Sequence, residues 1–594
     1  MALVALALPV GALAYAGPGH SGGAGHSGGP GRAGRPSHGA GVSHVVVIDL
    51  DNTHLTDMEQ MPAVRDFFGK GTLFSNDHTG LIAYTHPDYV TAETGLYPSR
   101  TGIVSQFQLD QGQGVSFSYW PDRTPTGLPV HLSPAPWSYW NRQGDSVGAI
   151  GFADMELEST SEVPEYHVKV SPGEPDSAYL GYALHEANGS TVFGTPNLPY
   201  VHDAPLLLDQ SQTVGDFSGG FDANFGPDRS LTAAAAMLTH GVDVVYDYIR
   251  TVHNSGTTGD SLAPDTAEYR ANLAHYDAAF AAFFADLSSH GITPANTLFL
   301  LTSDEGDHYN PGGELTTGLS GQLSQLGFPT TGVQMVANSA TMLYWPEGTQ
   351  EPVGKLAGLP GWRYLAGRTV LRAIHAEPAN RAYDPQLVIF AEPSWYYGSG
   401  SSTAITTDPY YWNHGTVARD VNSLWVGLAG PGVPSAQESR EWVDATDLLP
   451  TLQRLVTGTV QPGLQGLAMV DALGTGPGHG GQGGPGGHGA RSRDSLRSLT
   501  ELYKQLYAPV GAFSRAALQV GTTAAIEPQL TDSLDSQLAQ LTARRQAVAA
   551  QLHTLLREAD SGRPLDPGGA RRLAAQAGAV LAAAHHLADL ALLR

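Results

Sequence analysis

The chain has 594 residues, with 31 lysines and arginines against 56 aspartates and glutamates, for a formal net charge of −25. This charge argues against nucleic acid as a partner, because proteins hold nucleic acid largely through its anionic backbone. The absence of cysteine excludes disulfides, thiolate metal sites and cysteine nucleophiles. The length exceeds that of one ordinary domain.

The N-terminal segment resembles an export signal. Residues 2–14 are apolar and run into Ala14-Tyr15-Ala16, an A-x-A-like cleavage site. We therefore predict a signal over residues 1–16 and a secreted, periplasmic or extracellular protein; the alternative is a disordered apolar tail. A Gly/Ser/His/Pro tract over residues 17–42 is predicted to be a flexible linker. No later segment is apolar enough over a sufficient length to span a bilayer.

Residues 43–472 are predicted to form one large catalytic domain. Short apolar runs, typical of strands buried on both faces, occur at residues 45–48, 298–301, 387–390 and 424–426. Residues 268–287 have the pattern of an amphipathic helix. This alternation predicts an α/β fold with a central, mostly parallel sheet sandwiched by helices, in which ligands gather beyond the carboxyl ends of the strands.

A second Gly-rich linker, residues 473–492, precedes an alanine/leucine-rich region over residues 493–594. Apolar residues recur at 4-3 spacing from Leu534 to Leu555, broken only by Arg545, and again from Leu573 to Ala591. The spacing predicts two antiparallel helices, with a third near residues 496–507. We interpret this region as a small all-α module for docking or assembly.

Acidic and imidazole side chains cluster where predicted strands end. Asp49 and Asp51 share one strand face, with Asp51 at its end, and the alternative for the Asp51-Asn52 pair is a turn cap. Residues 304–308 hold one histidine and three carboxylates, and the carboxylates repel one another unless a cation gathers them. The alternative is a solvated acidic loop. His414, in residues 411–416, is a further candidate ligand. Carboxylate and imidazole ligands suit a catalytic divalent metal, which neutralises the oxygens of a phosphate ester.

A hydroxyl nucleophile is suggested by the run Thr85-His86-Pro87-Asp88, followed by Thr94-Gly95-Leu96-Tyr97-Pro98. With the acidic segments, this run resembles the alkaline phosphatase superfamily, especially its phosphodiesterase and nucleotide pyrophosphatase branch, over roughly residues 44–458. The resemblance implies that Thr85 is the nucleophile and forms a phospho-threonine intermediate. It also implies metal ligation by the following residues: Asp51, Thr85, Asp304, Glu305 or His308, and His414.

Two features depart from that branch. In that branch a histidine follows the aspartate that corresponds to Asp304. Here the position is occupied by Glu305, so Glu305 and His308 remain alternative ligands. The branch's Asp-x-x-x-Gly-His ligands have no clear match, and the nearby candidates Asp247, His253 and Asp260 are weak. We therefore expect one or two divalent ions, with zinc favoured over manganese, calcium or magnesium.

The predicted function is hydrolysis of a small-molecule or lipid phosphate ester, with phosphodiester or pyrophosphate bonds favoured. Asn52 or His86 is predicted to donate a hydrogen bond to a phosphoryl oxygen; the alternative for both residues is a role in loop structure. The pair Asp304-Glu305 is similar to the metal segment of acid phosphatases and phospholipase C enzymes, which keeps a phosphomonoesterase or phospholipase-C-like activity as an alternative. The alternative of another class is a non-catalytic binding protein on a decayed hydrolase scaffold.

Overall fold

The computed structural model describes most of the chain beyond its N-terminal segment. The described residues are 41–110, 115–118, 138–143, 145, 147–150, 166–171, 180–187, 190–193, 226–239, 241–255, 261–349, 351–378, 381–474, 488–527 and 529–593. The predicted export signal, nearly all of the first linker and residues 475–487 of the second lie outside them. In the described part of the chain, no helix has both the length and the apolar character needed to cross a membrane.

The strands are labelled β1 to β21 in chain order. They are His44–Leu50, Thr72–His78, Phe107–Asp110, Val115–Ser118, Val147–Ile150, Tyr166–Ser171, Leu180–Ala187, Ser190–Phe193, Val244–Ile249, Thr297–Thr302, His308–Tyr309, Glu314–Gly318, Gln334–Val336, Ala340–Tyr344, Trp362–Gly367, Leu387–Ala391, Trp395–Gly398, Thr406–Asp408, Trp412–Asn413, Ser423–Ala429 and Gln437–Ser439.

The α-helices are labelled α1 to α15. They are Leu55–Met58, Pro62–Phe68, Thr85–Thr94, Pro98–Thr101, Ser138–Gln143, Pro227–Thr239, Ala267–Ser289, Leu319–Gln325, Arg368–Ala373, Arg419–Asn422, Leu448–Thr457, His488–Tyr507, Ala512–Ile526, Thr531–Asp560 and Pro567–Leu592. Short 3-10 helices cover Val353–Gly358, Arg381–Tyr383, Ala445–Asp447 and Val470–Ala472.

A ten-stranded sheet, as far as the described residues define it, forms the centre of the fold, in the order β21-β2-β20-β10-β1-β9-β5-β6-β7-β8. Strands β10, β1, β9 and β5 are mutually parallel, and Val46 of β1 lies between Phe299 of β10 and Val245 of β9. These strands are apolar because they are buried on both faces. Helices surround the sheet, which confirms the predicted α/β class.

Two of the predicted buried strands run in a direction that the sequence did not reveal. Strand β20 pairs antiparallel with both β10 and β2. Strand β16 belongs to a separate four-stranded sheet, where it pairs antiparallel with β14 and β15. A fully apolar run indicates that the strand is buried on both faces, but it does not indicate whether the strand is parallel or antiparallel to its neighbours.

Helix α7 agrees with the predicted helix over residues 268–287 and extends it by a residue or two at each end. It begins at the N-cap Thr266, whose side chain accepts a hydrogen bond from the Tyr269 N–H at 3.1 Å. Its buried face includes Phe280 and Phe283. Next to them, Phe284 stacks on Phe67 of α2 with ring centroids 3.7 Å apart. The buried residues of α7 share one apolar cluster with those of β1 and β10.

The described residues of the C-terminal region form four helices, α12 to α15, of which three were predicted. Their apolar stripe shares one buried cluster with residues of the preceding domain, among them Val370 and Phe390. Arg545, which interrupts the leucine spacing, is fully buried, hydrogen-bonds to the carbonyl oxygen of Ala373, and lies over the rings of Tyr507 and Phe513. The interruption therefore marks the place where this region joins the rest of the fold.

Candidate active site

Adjacent parallel strands bring the acidic segments together. Asp51 directly follows β1, and Asp304 and Glu305 follow β10, its neighbour in the sheet. Since the carboxyl ends of parallel strands meet at one edge, these side chains converge. One ligand oxygen from each of the three carboxylates lies within 4.8 Å of the other two, and all three residues are buried.

The turn after Asp51 is fixed by Asn52. Its backbone adopts a φ of 54°, a conformation that asparagine tolerates better than most residues. The Asn52 N–H then donates to Asp304 Oδ1 at 3.3 Å, and the N–H of Glu305 donates to the same oxygen at 3.0 Å. The N–H of Asp304 itself donates to Asp49 Oδ1 at 3.0 Å. Asp49 thus supports the segment that carries Asp304.

Thr85 is the first residue of helix α3. It is 5% exposed, and its hydroxyl donates a hydrogen bond to Glu305 Oε1 at 3.1 Å. The positive end of the helix dipole lies where Thr85 stands, and helix N-termini favour phosphate and other anions. The hydroxyl is therefore placed between a carboxylate cluster and a site suited to an anion.

The three carboxylates carry more negative charge than the protein around them offsets. Burial, followed by repulsion from neighbouring carboxylates, raises the pKa of Asp51 and of Glu305, and burial raises the pKa of Asp304 to about 6. Each residue also keeps one buried oxygen without a hydrogen-bond partner among the described residues: Asp51 Oδ1, Asp304 Oδ2 and Glu305 Oε2. Buried polar atoms are normally paired. Three such oxygens in one cluster fit a divalent cation.

His414 borders this cluster. Its Nδ1 lies 2.9 Å from Asp307 Oδ1, and its Nε2 lies 3.9 Å from Glu305 Oε1. Gly415 follows at a φ of +80°, and a side chain there would overlap the ring of Tyr84, 2.2 Å from its nearest atom. The His-Gly pair thus reflects close packing between the His414 segment and the residue that precedes Thr85.

Asp307 links His414 to a second cluster. Its Oδ2 lies 2.8 Å from His253 Nδ1, and His253 Nε2 lies 3.1 Å from Asp57 Oδ2. Burial acts to lower the pKa of His253, but hydrogen bonds to Asp307 and Asp57 raise it to about 9. Hydrogen bonds from both histidines likewise lower the pKa of Asp307, against the effect of burial. The result is a buried chain of alternating carboxylates and imidazoles.

His54 completes the second cluster, since His54, Asp57 and His253 have ligand atoms within 4.8 Å of one another. Its Nε2 accepts a hydrogen bond from the Asp307 N–H at 3.2 Å, so the ring proton of a neutral His54 lies on Nδ1, the nitrogen nearer Asp57. Both nitrogens of His253 are already paired with carboxylates. The first cluster is therefore better suited to a metal than the second.

Two predicted site residues make different contacts from those expected. His308 Nδ1 lies 2.7 Å from Asp420 Oδ2, partly exposed, so Glu305 and not His308 joins the cluster. His86 Nδ1 faces the carbonyl oxygen of Gln106 at 3.1 Å, and burial lowers its pKa to about 3. That pairing puts the proton of the neutral ring on Nδ1 and makes Nε2 an acceptor, which argues against His86 as a phosphoryl donor.

The weak ligand candidates Asp247, Asp260 and His253 have different outcomes. Asp247, on β9, is hydrogen-bonded to Ser230, and Asp260 lies outside the described residues. His253, a weak candidate from sequence, proves central to the second cluster. His54 and Asp57 were not predicted from the sequence. Their spacing, His-x-x-Asp only three residues beyond Asp51, is the signal that was present.

The model of the type I phosphodiesterase/nucleotide pyrophosphatase family matches residues 45–310. This match supports a phosphoric ester hydrolase of the alkaline phosphatase superfamily. That match includes Asp51, Thr85, Asp304 and Glu305 and ends before His414. A search of curated proteins finds no significant match.

One solved structure supports the fold, and a second is similar over the same share of the chain. Human ectonucleotide pyrophosphatase/phosphodiesterase 5 is similar at 14% identity with a TM-score of 0.50, covering 73% of this chain and 100% of the human one. An inactive form of the murine protein, in complex with AMP, is similar at 15% identity with a TM-score of 0.47 and the same coverage.

Proposed function

We propose that the protein is an exported, metal-dependent phosphodiesterase that uses Thr85 as a covalent nucleophile. The observation that carries this proposal is the hydrogen bond of 3.1 Å from the Thr85 hydroxyl to Glu305, within a buried carboxylate cluster and at the start of helix α3. A hydroxyl that points at such a cluster is poised to lose its proton, and the helix end favours the phosphoryl group.

A single divalent cation, with zinc as the favoured metal, is proposed at the first cluster. Asp51, Asp304 and Glu305 would hold it through their unpaired oxygens, together with Thr85 and, at the border, His414. When bound, a divalent ion neutralises phosphoryl oxygens and lowers the pKa of an alcohol. The contacts of His54 and His253 described above favour one ion over two.

The residues then have distinct parts in the reaction. The Thr85 oxygen forms a bond to phosphorus while the bond from phosphorus to one alcohol breaks, and the departing alcohol takes up a proton. The intermediate keeps the other half of the diester on Thr85, and water releases it as a phosphomonoester. The Asn52 side chain, whose Oδ1 has no hydrogen-bond partner among the described residues, is proposed to orient the phosphoryl group through its amide.

Two chromogenic substrates test this proposal. Purified protein loaded with Zn²⁺ is assayed on bis(p-nitrophenyl) phosphate and on p-nitrophenyl phosphate, with wild type and Thr85→Ala in parallel. We expect faster hydrolysis of the diester and loss of both activities in the variant. Activity that survives Thr85→Ala would overturn the covalent mechanism.

A phosphomonoesterase or phospholipase-C-like activity is the second candidate, favoured by the adjacent carboxylates of Asp304 and Glu305. The same assay separates the two, because a monoesterase hydrolyses p-nitrophenyl phosphate faster than the diester. Export is tested separately by N-terminal sequencing of protein secreted from its host, which we expect to begin near Gly17 and not at Met1.

A further inference from the structure

A cavity of about 420 Å³ adjoins the nucleophile, a size within the range of about 300–1,000 Å³ typical of small-molecule sites. Tyr84, directly before Thr85, and His414 both line it. His414 Nε2 is 3.9 Å from Glu305, which accepts the hydrogen bond from Thr85. A substrate phosphoryl group at Thr85 would therefore extend its remaining atoms into this cavity.

One wall of the cavity is a face of the small sheet β17-β12-β18. Glu314 and Thr316 are two residues apart on β12, so both side chains lie on that face. Thr316 pairs with Tyr396 of β17, and Glu314 pairs with Asp408 of β18. Glu314 and Asp408 are thus direct cross-strand partners that line the same cavity. Like charges placed directly opposite each other destabilise a sheet. A positive charge between them would remove that cost.

Glu314 is buried without a counter-ion. It is 7% exposed, and its carboxylate has no hydrogen bond or ion pair within the described part of the chain. Burial, opposed by His414 and reinforced by Asp408, raises its pKa to about 8. The positive character of His414 is already engaged by Asp307 at 2.9 Å. No lysine or arginine occurs among the described residues that line the cavity.

Aromatic rings complete the lining. Tyr84, Tyr396, Tyr410 and Trp412 all border the space. The faces of such rings attract organic cations, and pairing aromatic faces with carboxylates is a general way to hold an ammonium group. By contrast, further phosphate groups would meet two carboxylates and find no cationic side chain in the cavity.

We propose that this cavity is a subsite for a cationic alcohol moiety, so that the substrate is a phosphodiester bearing an organic ammonium group between Glu314, Asp408 and the aromatic rings. This inference rests on the proposed function, because it names the substrate class of the Thr85 reaction. It disfavours a nucleoside polyphosphate, whose additional phosphates are anionic.

The test compares two probes of nearly equal shape, p-nitrophenyl phosphocholine and p-nitrophenyl 3,3-dimethylbutyl phosphate, the second of which replaces the quaternary nitrogen by carbon. We expect kcat/KM to favour the cationic ester by about tenfold or more, chiefly through KM. Glu314→Gln and Asp408→Asn should each lower that ratio several-fold. Glu347→Gln, which changes an exposed carboxylate on another part of the surface, should leave the ratio as in wild type.

Equal hydrolysis of the two esters, or a ratio that survives both substitutions, would overturn the subsite and leave the phosphodiesterase proposal standing. If neither ester is hydrolysed, the proposed function fails. Calorimetric measurement of the binding of choline and of 3,3-dimethylbutanol then tests the subsite by itself. Choline binding that Glu314→Gln weakens supports it, and equal binding of both compounds overturns it. Loss of one bound metal ion in Glu314→Gln would also overturn it, by assigning the carboxylate pair to a metal.

Discussion

The Thr85 hydroxyl donates a hydrogen bond of 3.1 Å to Glu305, across 220 residues of sequence. Glu305 stands where the phosphodiesterase branch that the sequence resembles has a histidine. A carboxylate at this position serves both as an acceptor for the Thr85 proton and as an anionic ligand. The exchange therefore places a third negative charge beside the nucleophile, which increases the need for a cation.

Glu305→Gln should weaken metal binding. Removing one of three clustered carboxylates takes away an anionic ligand, and we expect the affinity for Zn²⁺ to fall by at least about tenfold. His308→Ala is the matched control, since His308 pairs with Asp420 and lies outside the cluster. Metal content by mass spectrometry, after dialysis against a graded chelator, measures both. Equal metal loss in the two variants would contradict the ligand assignment.

Asp307→Asn should lower kcat while sparing the nucleophile itself. Asp307 holds both His253 and His414 through their Nδ1 atoms, and loss of such supporting contacts around metal sites typically costs about 10- to 100-fold in activity or affinity. The control is Asp420→Asn, which removes the partner of the partly exposed His308 instead. Steady-state kinetics on bis(p-nitrophenyl) phosphate give the comparison, and a kcat unchanged in Asp307→Asn would show that this link is dispensable.

The metal-free protein should lose stability as pH rises. Burial raises the pKa of Asp304 from 3.8 to about 6, so the native state binds its proton more tightly than the unfolded state does. The stabilisation is complete below the unfolded pKa and is lost as pH rises through about 6. We expect the Tm of chelator-treated protein to fall between about pH 4 and about pH 7, and to fall less in Asp304→Asn. An equal slope in both proteins would contradict this origin.

The sequence predicted the elements that carry the first cluster because the signals there are local. An apolar strand followed by Asp51, or by Asp304 and Glu305, predicts a strand-end ligand wherever the strand lies in the sheet. The contacts of His308 and His86 depend instead on distant partners, Asp420 and the Gln106 carbonyl oxygen, which local sequence does not specify.

The second cluster and the subsite were missed for the same reason. His253 gains its importance from Asp57 and Asp307, which lie 196 and 54 residues away. Glu314 and Asp408 meet only because β12 and β18 pair in one register. Strand pairing of this kind is set by tertiary packing, and neither flanking sequence shows an unusual pattern.

Lys504→Met should destabilise the whole chain. Lys504, on helix α12, is fully buried, with its Nζ 2.6 Å from Asp447 and 3.1 Å from Asp444, and Asp444 accepts a hydrogen bond from Tyr97 of the nucleophile segment. Removing the cation leaves two buried carboxylates uncompensated, which typically costs about 3–5 kcal/mol of unfolding free energy. Urea denaturation gives the value.

Lys355→Met is the control for that experiment, because Lys355 is exposed and a surface change of this kind costs about 0.5 kcal/mol or less. A similar small loss in both variants would mean that the C-terminal helices are energetically separate from the hydrolase domain. Their role in docking or assembly remains a prediction.

The central claim, covalent catalysis by Thr85, is tested most directly by trapping the intermediate. Metal-loaded protein is mixed with excess bis(p-nitrophenyl) phosphate, quenched in acid within the first turnovers, digested and analysed by mass spectrometry. We predict that the peptide containing Thr85 carries the mass of a p-nitrophenyl phosphoryl group, and that the same peptide from Thr85→Ala does not. Active turnover with Thr85 unmodified throughout, or with the modification on another residue, would contradict the account.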